Sequence, residues 1–187
     1  MRLRRSPLSL SVVLLLGTAC GTTSAPGPEG SAQAKDAPTA TAEPSDAEAL
    51  STALDDEYKA EAMYAAVLEV FPGARPFANI IEAEKRHSGF VKTEMDRLGI
   101  RYETNNPYDG KLEAPATLLA ACEAGVKAEL ENIALYDRLL PTVSDAQVRT
   151  VLERLQAASQ DRHLPAFERC VERGGAPGGG RGRSTPR

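Results

Sequence analysis

Carboxylate and imidazole side chains stand on helical apolar stripes where leucine or isoleucine is expected, and they do so twice in the same order. The chain has only two histidines, His87 and His163, within Glu84-Lys85-Arg86-His87 and Gln160-Asp161-Arg162-His163. In the helix before each, a tyrosine follows a glutamate by seven residues, Glu57 to Tyr64 and Glu129 to Tyr136. The chain therefore contains two copies of Glu…Tyr…(Glu/Gln)-x-x-His. Such a unit on facing helices builds a two-metal site inside a helical bundle. Carboxylates buried together without a cation would protonate or disrupt packing, and a metal pair removes that cost.

The rest of the domain reads as all-α, its apolar residues recurring at three and four. Helix 1 opens on a capping box, Ser45-Asp46-Ala47-Glu48, and its stripe runs Leu50, Leu54, Glu57, Glu61, Tyr64, Leu68, Phe71 before Pro72-Gly73. Helix 2 begins near Pro76 and stops at Gly99, with Ile80, Glu84, His87 and Val91 inward. Helix 3 begins near Pro115 and ends at Pro141, carrying Cys122, Val126, Glu129, Ile133 and Tyr136. Helix 4 follows a second box, Ser144-Asp145-Ala146-Gln147, with the stripe Val148, Leu152, Leu155, Ser159, His163, Phe167, Cys170. Pro165 lies inside it, so a kink is expected there. Residues 72–75 and 141–143 can only join antiparallel neighbours, whereas the turn-rich segment 99–114 is long enough to cross the bundle. Two antiparallel helix hairpins joined by one long crossover is the ferritin-like arrangement of a four-helix bundle.

In this scheme Glu84 and His87, one turn apart, reach one metal or bridge two. Glu57 and Glu129 add carboxylates and His163 the second nitrogen. Gln160 stands where a fourth carboxylate is expected, and Glu61, one turn from Glu57, is the residue that would replace the missing charge. Ser159 is placed to hold a water. Oxygen-rich ligation with two imidazoles suits iron, with manganese or zinc as alternatives. At these residues the chain resembles the ferritin-like superfamily, and more closely an uncharacterised bacterial ferritin-like family often found in exported proteins. The likeness is carried by Asp56-Glu57, Asn79–His87, Glu129 with its neighbours and His163-Leu164-Pro165-Ala166-Phe167, and spans about residues 48–171. It implies di-iron binding with ferroxidase, peroxidase or oxygen-activating chemistry, and a role for Tyr64 and Tyr136 in bonding a ligand or in redox. Plain packing of the two tyrosines is the alternative. A full di-iron member has Glu at the position of Gln160.

The cysteines test the same register. Cys122 precedes Glu129 by seven residues and Cys170 follows His163 by seven, so antiparallel helices that pair Glu129 with His163 also pair the cysteines. A disulfide is expected, with two buried thiols as the alternative.

Outside the domain, Arg2, Arg4 and Arg5, the apolar run Leu8–Leu16 and Gly17-Thr18-Ala19 before Cys20 read as a secretory signal over residues 1–19. The Ala19-Cys20-Gly21 junction resembles a bacterial lipobox, which implies a lipid on Cys20 and a membrane-anchored envelope protein. Cleavage after Ala19 without lipidation, leaving a soluble secreted or periplasmic protein, is the alternative. Residues 20–44 lack large apolar groups and suit a flexible tether reaching roughly 25–30 Å. Residues 174–187 read as a Gly/Arg tail without order. Between Ser45 and Arg173 there are 15 basic and 23 acidic side chains, a net charge near −8 that disfavours nucleic acid and suits cations. Three functions are compatible with these features: a tethered di-metal oxidoreductase, a metal-binding module without turnover, and a metal-free helical lipoprotein that binds another envelope component.

Overall fold

The computed structural model describes residues 44–176. The expected signal, Cys20, the tether up to residue 43 and the tail from residue 177 lie outside the described residues. Those described form helices and no strand: α1 Pro44–Val70, α2 Phe77–Leu98, α3 Leu118–Leu139, α4 Ala146–Ala158, a π-helical turn Ser159–His163, and α5 Leu164–Glu172. The last three are one rod with a widened turn, so the fold is an all-α bundle of four rods.

Side-chain pairings give the directions. Tyr64 packs edge-on against Phe77 while Glu57, earlier in α1, reaches His87, later in α2, so this hairpin is antiparallel. The Cys122–Cys170 disulfide and the Ser159–Asn132 hydrogen bond show the same for the second hairpin. Tyr64 bonds Glu129 and Tyr136 bonds Glu57, so α1 also opposes α3. It follows that α2 and α3 run parallel, and the connection between them must travel the length of the bundle. Residues 99–117 do so, three longer than expected, because α3 begins only after Thr117, whose hydroxyl accepts from Ala120 N–H at 3.1 Å. The crossover is tied to α1: Tyr58 Oη donates to the Glu103 carbonyl at 2.8 Å, Asn106 Nδ2 to the Tyr58 carbonyl at 2.7 Å, and Tyr108 Oη to Asp55 at 2.8 Å.

The ends of the helices refine the expected caps. Pro44 occupies the first turn of α1, where its missing N–H costs nothing, so Ser45 is inside the helix rather than its cap. Asp46 is instead buried and caps the second hairpin, accepting from Ser144 N–H at 2.7 Å and Asp145 N–H at 3.2 Å. Asp145, not Ser144, caps α4 through Gln147 and Val148 N–H, and its carboxylate also takes a 2.7 Å ion pair from Arg97 of α2. α2 stops at Gly99 as expected, in the left-handed region at φ 68°. The tail is not wholly without order: Gly175 N–H bonds the Cys170 carbonyl and its Cα packs so closely on Leu119 that no side chain fits. The segment closes the rod as a glycine cap, which composition alone did not reveal.

Two apolar clusters fill the interior. One gathers Leu50, Leu54, Val91, Met95, Val148 and Leu152. The other gathers Tyr64, Val67, Phe77, Ile80 and Phe167 around the disulfide. Cys122 and Cys170 have Cα atoms 5.9 Å apart and close a loop of 48 residues, for which loop entropy gives about 4 kcal/mol. Replacing both with alanine should lower the urea unfolding free energy by up to about that amount, and an unchanged midpoint would refute it. Close packing also explains a buried glycine in α3. A Cβ on Gly125 would lie 2.5 Å from the Phe167 ring, itself wedged between Tyr64 and Phe77 at 5.4 and 5.0 Å. Gly125→Ala should therefore destabilise by about 1–2 kcal/mol, overpacking outweighing the helix propensity gained. A thermal melt reads the sign directly.

Candidate metal centre

Between the two apolar clusters lies one polar layer: Glu57, Glu84, His87, Glu129 and His163, each 8 % exposed or less. Four of these come from regular helix, where the stripe positions predict them. The fifth, His163, depends on the π-turn. Three successive inward steps of four residues, Leu155 to Ser159 to His163 to Phe167, would drift roughly 120° around an ideal α-helix. The widened turn absorbs that drift: Leu164 N–H bonds the Ser159 carbonyl, five residues back. Pro165, with no N–H to offer Asp161, makes an α-helical continuation there costly, so the expected kink takes this form.

The same turn overturns the role expected for Gln160. Ser159 and His163 both face inward, and Gln160 is turned out to solvent. It is not a ligand, and the (Glu/Gln)-x-x-His reading of the second hairpin fails because it assumes an α-helical register. Ser159 takes the inward place and donates to Asn132 Oδ1 at 2.7 Å, while Asn132 Nδ2 donates to Asp56 at 2.6 Å. Glu61 does not replace the fourth carboxylate either. It is only partly buried and stands outside both clusters of ligand-type atoms. Burial raises its carboxyl, and the nearby charges that act on it are Lys85, Asp109, Lys92 and Glu84. Asn132 is the buried polar residue beside the layer that sequence reasoning missed, although it sits on the stripe three residues after Glu129 and four before Tyr136.

Five side chains able to hold a metal form two groups that share Glu84: Glu57, Glu84 and His87 in one, Glu84, Glu129 and His163 in the other. Within each group the donor atoms lie within 4.8 Å of one another, the spacing for one ion. Glu84 Oε2 is 2.9 Å from His87 Nδ1, and Oε1 is 3.1 Å from His163 Nδ1. Glu57 Oε2 stands 3.4 Å from His87 Nδ1 and Glu129 Oε2 3.5 Å from His163 Nδ1. The two rings are stacked, with centroids 5.5 Å apart. The terminal glutamates are held from opposite hairpins: Tyr64 Oη donates to Glu129 Oε1 at 2.7 Å and Tyr136 Oη to Glu57 Oε1 at 2.6 Å. Each tyrosine thus occupies the oxygen that its glutamate does not turn to the histidine.

Electrostatics show how the layer balances charge with protons alone. Burial and the neighbouring Glu84 charge raise the Glu57 carboxyl to about 8. Burial pushes Glu84 up as well, but hydrogen bonds from His163, His87 and Glu57 prevail and hold it at about 2. Burial opposes protonation of both histidines, yet bonds to Glu57 and Glu84 raise His87 to about 9, and bonds to Glu129 and Glu84 raise His163 to about 10. Burial, and then the carboxylate charges, push both tyrosines up, which keeps them as hydrogen-bond donors. His163 Nδ1 is nevertheless a buried polar atom without a well-formed hydrogen bond. The atom faces Glu84 and Glu129, and on losing its proton it would present a lone pair beside their oxygens, as a metal ligand requires, so the residues present fit a metal pair.

Two cavities reach the layer from opposite sides. One, of about 240 Å³ between α1 and α3, is lined by Asp56, Tyr64, Glu84, Glu129, Asn132 and Ser159 among others. The other, of about 480 Å³, lies between α2 and the α4–α5 rod and ends on His87 and His163.

No family model and no curated protein matches the chain. Among solved structures it is similar to the crystal structure of hypothetical protein MJ0754 from Methanococcus jannaschii DSM 2661, with a TM-score of 0.62 at 21% identity over 70% of this chain and 82% of that one. At that identity the likeness speaks for the shared fold alone.

Proposed function

We propose that this chain is a ferritin-like metal-binding protein of the cell envelope, tethered through a lipid on Cys20, whose buried layer takes a pair of ions with Glu84 as the shared carboxylate. The single observation that carries the reading is that sharing: one glutamate presents its two oxygens to two different histidines, each with its own terminal glutamate. An ion pair of buried carboxylates and imidazoles serving only to hold helices together would be no more stable than well-packed apolar residues. Three carboxylates and two imidazoles suit iron, and the same donors accept manganese or zinc.

Each ion would have three protein ligands and so keep open positions, the condition under which a bound metal acts on a substrate. The cavity between α1 and α3 leads to those positions past Asp56 and Asn132. When iron fills such a site it supplies one-electron redox chemistry towards oxygen or peroxide. The chain's own contribution is to fix the two terminal glutamates through Tyr64 and Tyr136, to exclude bulk water with the flanking apolar clusters, and to hold protons on His87 and His163 until ions displace them. Absence of a fourth carboxylate leaves room at the second position rather than removing it, since Ser159 and Asn132 already bond each other.

Loading purified protein anaerobically with ferrous iron or manganese should leave two ions per chain after desalting, measured by elemental analysis. Oxygen- or peroxide-dependent oxidation of ferrous iron then separates an oxidoreductase from a module without turnover. Protein that retains no metal, and that behaves identically with His87→Ala, would leave a metal-free envelope protein.

A further inference from the structure

The acidic layer has a basic back door. The 480 Å³ cavity between α2 and the α4–α5 rod is lined by Arg86, Arg154 and Arg162, with Asp161 as its one carboxylate, and its inner wall includes His87 and His163. Three arginines around one cavity stand out on a domain with a net charge near −8. None of the three is paired with a carboxylate among the described residues. Arg154 is held in place, its guanidinium 4.3 Å from the Phe90 ring centroid. Both imidazoles turn Nδ1 to the carboxylates, so the geometry of the ring directs Nε2 away from them, and both rings line this cavity. A cavity of this size suits a small molecule, and guanidinium groups match the planar or tetrahedral oxygens of carboxylate and phosphate.

We propose that this cavity binds a small oxyanion, of the phosphate or carboxylate class, held by Arg86, Arg154 and Arg162 against the outer edges of His87 and His163. Binding of the anion stands on the arginines alone. Its consequence rests on the metal reading: an acceptor at Nε2 makes the imidazole a stronger ligand through Nδ1, so anion and metal each tighten the other. Cations would then reach the layer from the α1–α3 side, whose cavity is lined by the carboxylates Asp56, Glu84, Glu129 and Glu131 beside Lys59 and Lys127, and the anion from the opposite side.

The test is calorimetric titration of the metal-free protein with inorganic phosphate and, separately, citrate. Wild type should bind one or both in the calorimetric range, and the double variant Arg86→Gln, Arg162→Gln at least about tenfold more weakly. Both positions are exposed, and Arg154 keeps its stack on Phe90, so the variant should melt like wild type. Neither anion binding to wild type, or equal binding to the variant, would overturn the site. Manganese affinity measured with and without the bound anion should tighten by about tenfold, and an unchanged value would remove the coupling. If the protein takes up no metal but binds phosphate through the arginines, the anion site stands and the metal reading falls.

Discussion

Thermal stability of the metal-free protein should fall as pH rises from 5.5 to 8.5, while added manganese stabilises it more at each step. Glu57, His87 and His163 all have raised folded-state values, about 8, 9 and 10, against unfolded values of 4.5 and 6.5. A raised group contributes its full stability below the unfolded value and loses it as pH climbs to the folded one. The loss therefore begins above pH 4.5 for Glu57 and above 6.5 for the histidines, and is complete near 8, 9 and 10. Glu84, depressed to about 2, acts only at the acid end, where its contribution is lost as pH falls from 4.5. Several kcal/mol are at stake, because all three raised groups are largely buried. Ions displace the same protons, so the difference between loaded and metal-free protein should widen by up to about 1.4 kcal/mol per pH unit for each proton released. Melting temperatures with chelator or manganese across this range test both slopes. A metal-free curve that is flat or rises from pH 6 to 8.5 would show that the layer does not hold its protons as described.

Glu84→Gln should abolish loading at both positions, whereas Glu57→Gln should spare one. The substitution keeps volume and removes the only carboxylate common to the two ligand groups. Each position would be left with one carboxylate and one imidazole, and an affinity loss of a hundredfold or more is expected from removing a charged ligand at each. Glu57→Gln leaves Glu84, Glu129 and His163 intact, and with them one ion. Neither variant should unfold the metal-free chain, since each exchanges a buried carboxyl for an amide that can still bond its neighbours. Elemental analysis after iron or manganese loading gives the stoichiometry, and equal retention by the two variants would refute the shared-carboxylate arrangement.

Much of the layer was legible because burial of charge is legible. Glu57, Glu84, His87, Glu129 and His163 occupy stripe positions with apolar residues a turn away on either side, and the cysteines, seven residues out from Glu129 and His163, report the same register. The long crossover was readable from loop length, although its last three residues were assigned to α3 because Pro115 looked like a helix start and Thr117 was the cap. Gln160 misled for a definite reason. Matching it to Glu84 assumes equal spacing in both hairpins, yet three consecutive steps of four, the last of them across Pro165, already mark a helix that cannot stay α-helical. Asp46 looked like part of a local cap, and only the tertiary fold reveals that it satisfies N–H groups 98 and 99 residues away.

The unequal division of ligands between the hairpins has a consequence for assembly. Glu57, Glu84 and His87 all belong to α1 and α2, so the first hairpin would supply every ligand of one proposed position, with Tyr136 of the second hairpin bonding Glu57. The second hairpin owns two ligands and borrows the third. Filling should accordingly be ordered, the first ion seated by local chain geometry and the second only where the hairpins have docked. Occupancy of the second position is then a measure of quaternary-like closure inside a single chain, a seal between two halves that the first ion does not require.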